Sequence, residues 1–227
     1  AADSSLVLPQ FWVVTDGACD YPTNLKPRPL IVPVNIAIGN DQFASSELST
    51  ANFYARLKTN PHVLSTSQPS LEQFACSYRS LVGQSILSLH VSSAMSGTIN
   101  AAAQGAQMVT GADVHLFDTK SVSIGMTMQV YVAAMAAHLG VSLETAQAWI
   151  EQTRQQTSTI FTLGSLAYLR RSGRISSLRA LFGAALDIKP VIEIERQKGS
   201  FKSLVNARGF HRAVEMIVLQ MQKIVPV

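Results

Sequence analysis

Three short polar stretches carry the side chains of this chain that could do chemistry: Asp16-Gly17-Ala18-Cys19-Asp20, Ser65-Thr66-Ser67-Gln68-Pro69-Ser70 and Ser92-Ser93-Ala94-Met95-Ser96-Gly97-Thr98. Each follows or precedes a short apolar run, where an open parallel sheet places its ligands. Hydroxyls gathered with free backbone N–H groups at the start of a helix make an anion site, because the positive end of the helix dipole adds to the hydrogen bonds. The third stretch is richest in such groups, with Ser92, Ser93, Ser96 and Gly97, and the second adds Thr66 and Ser67. No Gly-x-Gly-x-x-Gly pattern and no phosphate-loop lysine accompany them, which argues against a dinucleotide or a nucleoside triphosphate. A compact anion such as a carboxylate fits. The plainer alternative is that the hydroxyls only cap a helix and fill a turn. Two such loops at neighbouring strand ends bring the readings level.

Ser93 or Ser96 could instead be the nucleophile of a small-molecule hydrolase or a phosphotransferase. That reading needs a base within hydrogen-bond reach, and the chain lacks the Gly-x-Ser-x-Gly elbow. His90 and His115 fall in strand-like runs and His138 in a helical one, where a satisfied structural histidine is the simpler reading. No His-x-x-x-His or Cys-x-x-Cys pair suggests a metal. Arg170, Arg171, Arg174 and Arg179 form the densest basic group. Such a group suits a solvated helix end or a docking surface for an anion or acidic partner, with Ser172-Gly173 aiming Arg174.

Apolar residues make up 47% of the 227 residues and charged ones 14%, well under the roughly 25% of ordinary soluble domains. A large interior or an apolar ligand cavity follows. The net charge of +4 is mild and scattered, with no basic stripe interleaved with aromatics, which speaks against nucleic acid. Cys19 and Cys76 lie far apart and match no disulfide framework. With no secretory signal at the start, a reducing, cytoplasmic location is expected. The uncharged stretch from Ser121 to Leu143 contains hydroxyls, Gln129 and His138, so it reads as a buried helix rather than a membrane span. Its Ile124, Met126, Met128 and Val130 suit either a packed core or a ligand-tunnel wall.

These groups need a scaffold, and the pattern supplies one. Phe11–Thr15, Leu30–Ile38 (with Pro33 inside it), Ser85–Val91 and Val114–Phe117 read as strands. Helices are expected over Ser49–Thr59, over Ser70–Val82 behind a Ser70/Gln73 capping box, and from Thr98 to about Val109. Strand–helix alternation of this kind implies a parallel sheet covered on both faces. After Gly140 the texture changes: a helix from Ser142 to Gln156, a strand at Thr159–Leu163, a basic helix and a second short helix. A hairpin at Val191–Ile194 and Phe201–Val205 precedes a helix over Phe210–Ile224. The expected fold class is α/β, a parallel-sheet domain at 1–150 and a smaller α/β (α+β) second domain at 151–227.

In this order the pieces resemble the DegV family of bacterial fatty-acid-binding proteins. The matching motifs are Val14-Thr15-Asp16, Asp20-Tyr21-Pro22, Asn52-Phe53-Tyr54, Thr66-Ser67-Gln68-Pro69-Ser70, Ser92-Ser93-x-Met95-Ser96-Gly97-Thr98, Asp118-Thr119-Lys120-Ser121, Leu166-x-Tyr168-Leu169, Ser172-Gly173-Arg174-Ile175-Ser176 and Ile188-Lys189-Pro190. The resemblance implies a carrier rather than a catalyst, with no cofactor and one long-chain fatty acid in a buried tunnel. Thr66 and Ser93 would hold the carboxylate, with Ser67, Ser92, Ser96 and Gly97 around it. A fatty-acid kinase would be the partner, phosphorylating the presented head group for phospholipid synthesis, with transient membrane contact. Arg174, with Arg171 beside it, would meet the phosphate or the partner. Ser172 stands where the family usually has glycine, and Gly17-Ala18-Cys19 replaces a Ser/Thr run. Family members also continue beyond the position of Val227 with a His- and Gly-containing segment, so a C-terminally truncated second domain is expected.

Overall fold

The computed structural model describes residues 9–59, 64–165 and 188–224. Its centre is a four-stranded, all-parallel sheet in the order β2-β1-β6-β7, formed by β1 (Trp12–Asp16), β2 (Leu30–Val32), β6 (Ser85–His90) and β7 (Asp113–Asp118). Alternation along the strands sends side chains to two helical layers. Phe11, Val13, Leu87 and Leu89 pack on α4 (Ser123–His138) and α5 (Leu143–Gln156), against Met126, Val130, Ala133 and Ile150. Val14, Val32 and Ile86 face α2 (Leu71–Arg79) and α3 (Thr98–Gln107), against Phe74, Tyr78 and Ala102. Parallel strands covered on both faces explain the low charge fraction.

The run at Leu30–Ile38 is not one strand. Pro33 has no N–H for a ladder, and the chain changes sheets there. β3 (Asn35–Ile38) leaves the parallel sheet and pairs antiparallel with β4 (Asp41–Ala44) and β5 (Leu64–Ser67). The two-residue Gly39-Asn40 connection has Gly39 at φ 64°, the left-handed geometry that tight hairpins require. Thr66 and Ser67, expected in a loop, are therefore strand residues opposite Ile36 and Asn35.

Helix starts follow the local chemistry. Ser70 Oγ accepts from Gln73 N at 3.2 Å while Gln73 Oε1 accepts from Ser70 N at 2.8 Å, the reciprocal capping box expected. α1 (Thr50–Thr59) starts beside Ser49, whose Oγ accepts from Asn52 N. Ser142 caps α5 by accepting from Thr145 N. Gly105 of α3 is a contact point: a Cβ there would lie 2.7 Å from Leu71 O and from Phe74 Cβ.

The remaining sheet is antiparallel, in the order β10-β9-β8, from β8 (Ile160–Phe161), β9 (Ile188–Ile194) and β10 (Phe201–Arg208). The helix α6 (Phe210–Ile224) packs on it through Ala213, Met216 and Ile217. The hairpin expected at 191–205 is present and longer at both ends. The expected division at residue 150 falls inside α5, whose Ile150 is fully buried in the α4-side core. No described helix is long and apolar enough to cross a membrane.

Candidate functional site

Parallel pairing aligns the carboxyl ends of three strands. Thr15 pairs with Leu89 and His90 with Asp118, so Asp16, His90 and Asp118 stand in a row along one edge of the sheet. Each fixes a loop. Asp16 is fully buried. Its Oδ1 accepts from Ala18 N at 2.9 Å, and its Oδ2 from Val91 N at 3.0 Å and His90 Nδ1 at 3.1 Å. Asp118 accepts from Ser93 N, from Ser93 Oγ at 2.6 Å and from Lys120 N at 2.9 Å.

A carboxylate only accepts, so His90 donates from Nδ1. In the neutral ring Nε2 then accepts from Ser88 Oγ at 2.8 Å, and Ser88, its proton committed, accepts from Tyr78 O–H at 2.8 Å. The result is a one-directional buried chain, Tyr78 to Ser88 to His90 to Asp16. Burial holds the Tyr78 hydroxyl protonated, raising its pKa to about 12. Serine, histidine and aspartate are in contact here, yet Ser88 is fully buried with Tyr78 on its other side, so no substrate reaches it. His90 is the satisfied structural histidine expected, and His115 in β7 sits 3.0 Å from Asp113.

Beyond this edge lies a cavity of about 320 Å³, within the roughly 300–1,000 Å³ of small-molecule sites. Its apolar wall is Ala18, Val34, Val91, Met95, Val122 and Phe201, and its polar lining is Asp16, Thr66, Ser67, Gln68, Ser96 and Thr98. The second and third polar stretches meet here, as their neighbouring strand ends suggested. Gly97 packs so closely on Gln68 that a Cβ would stand 2.8 Å from its Oε1.

Thr66, Ser67 and Ser96 therefore line one cavity, and Ser96 Oγ lies 2.8 Å from Thr98 Oγ1. Ser93 and Ser92 do not line it. Ser93 is exposed and donates to Asp118, while Ser92 is buried and its hydroxyl donates to Gly199 O at 2.8 Å. Among the described residues no histidine is hydrogen-bonded to Ser93 or Ser96. Arg171 and Arg174 lie outside the described residues. The α4 side chains offered as a tunnel wall are not in it: Met126 and Val130 are core, and Ile124 and Met128 are exposed. Val122, just before that helix, lines the cavity instead. Phe201 and Val34 were missed. Phe201 reaches the site from a distant hairpin, whereas Pro33 could have flagged a strand that leaves its sheet at Val34. Cys19, within the first polar stretch, is no nucleophile. Burial pushes its thiol up to about 11, and its sulfur lies 3.5 Å from Thr127 Oγ1.

A doubly covered parallel sheet with a half-apolar, hydroxyl-lined cavity at its carboxyl edge defines an α/β protein with a cavity of small-molecule size. The chain belongs to the DegV family: the family model described as "Uncharacterised protein, DegV family" matches residues 10–225. It is similar to a DegV domain-containing protein of Deinococcus radiodurans, 37% identical over 95% of this chain and 75% of the relative. Among solved structures it resembles one described as "Fatty Acid Binding of a DegV family Protein from Thermus thermophilus" (30% identity, TM-score 0.82, 95% of this chain and 78% of that one). It shares its fold with the Streptococcus pneumoniae Fatty Acid Kinase (Fak) B3 protein loaded with linoleic acid, at 21% identity and a TM-score of 0.77, over 94% of this chain and 78% of that one.

Proposed function

We propose that this chain binds one long-chain fatty acid, its carboxylate at Thr66, Ser67 and Ser96 and its tail along Val34, Val91, Met95, Val122 and Phe201. The observation that carries the reading is the cavity itself, in which hydroxyls from a strand and a loop face an apolar wall. Fatty-acid binding in the Thermus thermophilus relative supports it. Each buried methylene contributes about 0.8 kcal/mol, so the roughly fourteen of a 16-carbon acid give a gross gain on the order of 11 kcal/mol, before association and ordering costs. Hydrogen bonds to the charged carboxylate add about 1.5–3 kcal/mol each. Tail burial sets affinity; the hydroxyls set orientation.

Presentation of the head group to a fatty-acid kinase is the further step this reading takes, on the strength of the motif resemblance. Ser93, exposed at the same loop and held by Asp118, joins the head group by releasing that carboxylate. Loading by brief membrane contact and a cytoplasmic location, in keeping with two unpaired cysteines, complete the proposal. Organic extraction of the purified protein with lipid analysis, beside native mass spectrometry, tests it. A co-purifying fatty acid is expected, and Thr66→Ala should weaken rebinding about tenfold or more. Protein that stays empty when offered fatty acids sinks the reading.

A further inference from the structure

We propose that Ser92 and Gly199 form a latch that holds the antiparallel hairpin against the cavity and sets how fast the ligand leaves; this rests on the fatty-acid reading above. Among the described residues lining the cavity, Phe201 is the one supplied by the β9–β10 hairpin. It follows the turn directly, and its ring meets Phe161 edge-to-face at 5.9 Å. Where Phe201 stands therefore depends on where the turn is fastened.

The turn is fastened to the loop of the third polar stretch. Ser92 Oγ donates to Gly199 O at 2.8 Å, in a fully buried setting, and Ser92 N donates to Ser121 O at 2.9 Å. Ser92 thus ties together three segments: its own loop, the segment after β7 and the turn. Gly199 fits this place for two reasons. Its φ of 65° lies in the left-handed region, and a Cβ would collide with Ser92 Oγ and Lys120 Cα. Inside the turn, Gly199 N donates to Glu195 O at 2.7 Å and Glu195 N to Ser200 O at 2.9 Å. The turn therefore moves as one piece, and Phe201 with it.

Ser92 is then a positioning residue, acting on the ligand through Phe201. The same loop carries Ser96, so the latch couples the head-group hydroxyls to the apolar wall opposite them. Loss of the bond loosens the cavity side of the turn, while Arg196 and Gln197 still tie its other side to Gln155 and Ser158.

The test is stopped-flow release of a fluorescent polyene fatty acid, beside thermal melting and amide hydrogen exchange. Ser92→Ala, which removes the bond to Gly199 O and the acceptor of Ala94 N, should speed release about tenfold and raise exchange at the Glu195 and Gly199 amides. Gly199→Ala, whose Cβ would meet Lys120 Cα as well as Ser92 Oγ, should speed release at least as much. Lys198→Ala, which removes an exposed pair with Glu195 in the same turn, should leave release unchanged. A Ser92→Ala protein that melts lower yet releases the probe and exchanges its turn amides at the wild-type rate overturns the latch. Wild-type protein that fails to bind the probe overturns the fatty-acid reading instead, and the exchange result then decides the latch.

Discussion

The parallel sheet and the antiparallel hairpin are held by different means. In the former, β1 and β6 are buried from Val13 to Asp16 and from Ile86 to His90, and side chains such as Phe74, Tyr78, Leu87 and Met126 are fully enclosed between two helical layers. In the latter, Val191, Ala207 and Ala213 form the cluster under the helix, and Ile192 and Ile194 are the larger buried side chains. The helix α6 leaves Phe210, Val214, Val218 and Met221 exposed along one stripe. The first region can carry preorganised loops because its frame has no slack. The second buries fewer large side chains, and discrete polar contacts such as Ser92–Gly199 help to position it. Stability of this unequal kind puts movable parts at the less buried end.

Truncation of one core side chain in each region tests the contrast most strongly. Phe74→Ala removes a fully buried ring that stacks on Tyr78 and meets His90 edge-to-face at 5.1 Å. It should cost about 3–5 kcal/mol, a large share of the roughly 5–15 kcal/mol that holds a protein folded. Ile217→Ala, in a half-buried contact of α6, should cost nearer 1 kcal/mol. Urea unfolding of both variants measures the ratio. Equal losses would erase the distinction between the regions.

The buried polar chain sharpens the comparison at the next size of effect. Ser88→Ala leaves the Tyr78 hydroxyl without its acceptor and His90 Nε2 without its donor, at about 1–3 kcal/mol for each orphaned group. Tyr78→Phe removes the outermost donor and leaves Ser88 still bonded to His90, at about 1 kcal/mol. The double variant should be less costly than the sum, since the tyrosine hydroxyl is then no longer there to be orphaned. Strict additivity in equilibrium unfolding would mean that the four side chains do not act as a chain.

Much of the frame was legible because its signals are local. The Ser70/Gln73 box, the Ser142 cap and the period of residues 210–224 each state their helix within a few positions. The buried parallel strands showed as apolar runs, and clustered hydroxyls marked Thr66, Ser67 and Ser96. What escaped depends on partners far along the chain. Whether residues 35–38 join β2 or turn to pair with Leu64–Ser67 is a choice between distant ladders, and Pro33 only hints at the answer. Ser93 and Ser92 are adjacent and alike in type. Their different roles come from Asp118 and Gly199, which no spacing rule connects to them. The apolar richness of α4 was readable, but its direction was not: an all-round apolar helix says that it is buried, without saying against what.

The smallest effect separates the two cysteines. Cys19 lies buried in the α4-side core while Cys76 is exposed on α2. A thiol reagent near neutral pH should label Cys76 in the folded protein and reach Cys19 only on unfolding, because the thiolate is the reactive form and burial disfavours it. The same burial makes stability depend on alkali. The Cys19 pKa is raised from 9.0 to about 11 on folding, so the unfolded chain loses its proton first as pH climbs. This contribution is whole below about pH 9 and declines toward pH 11. Tyr21 and Tyr78, raised from 10.0 to about 12, add a second decline from about pH 10. Between pH 9 and 10 the fall should therefore belong to Cys19, and Cys19→Ala should flatten that interval while leaving the later fall in place. Urea midpoints taken across pH 8–12 read both steps; an unchanged slope between 9 and 10 in the alanine variant would place the alkaline sensitivity outside this core.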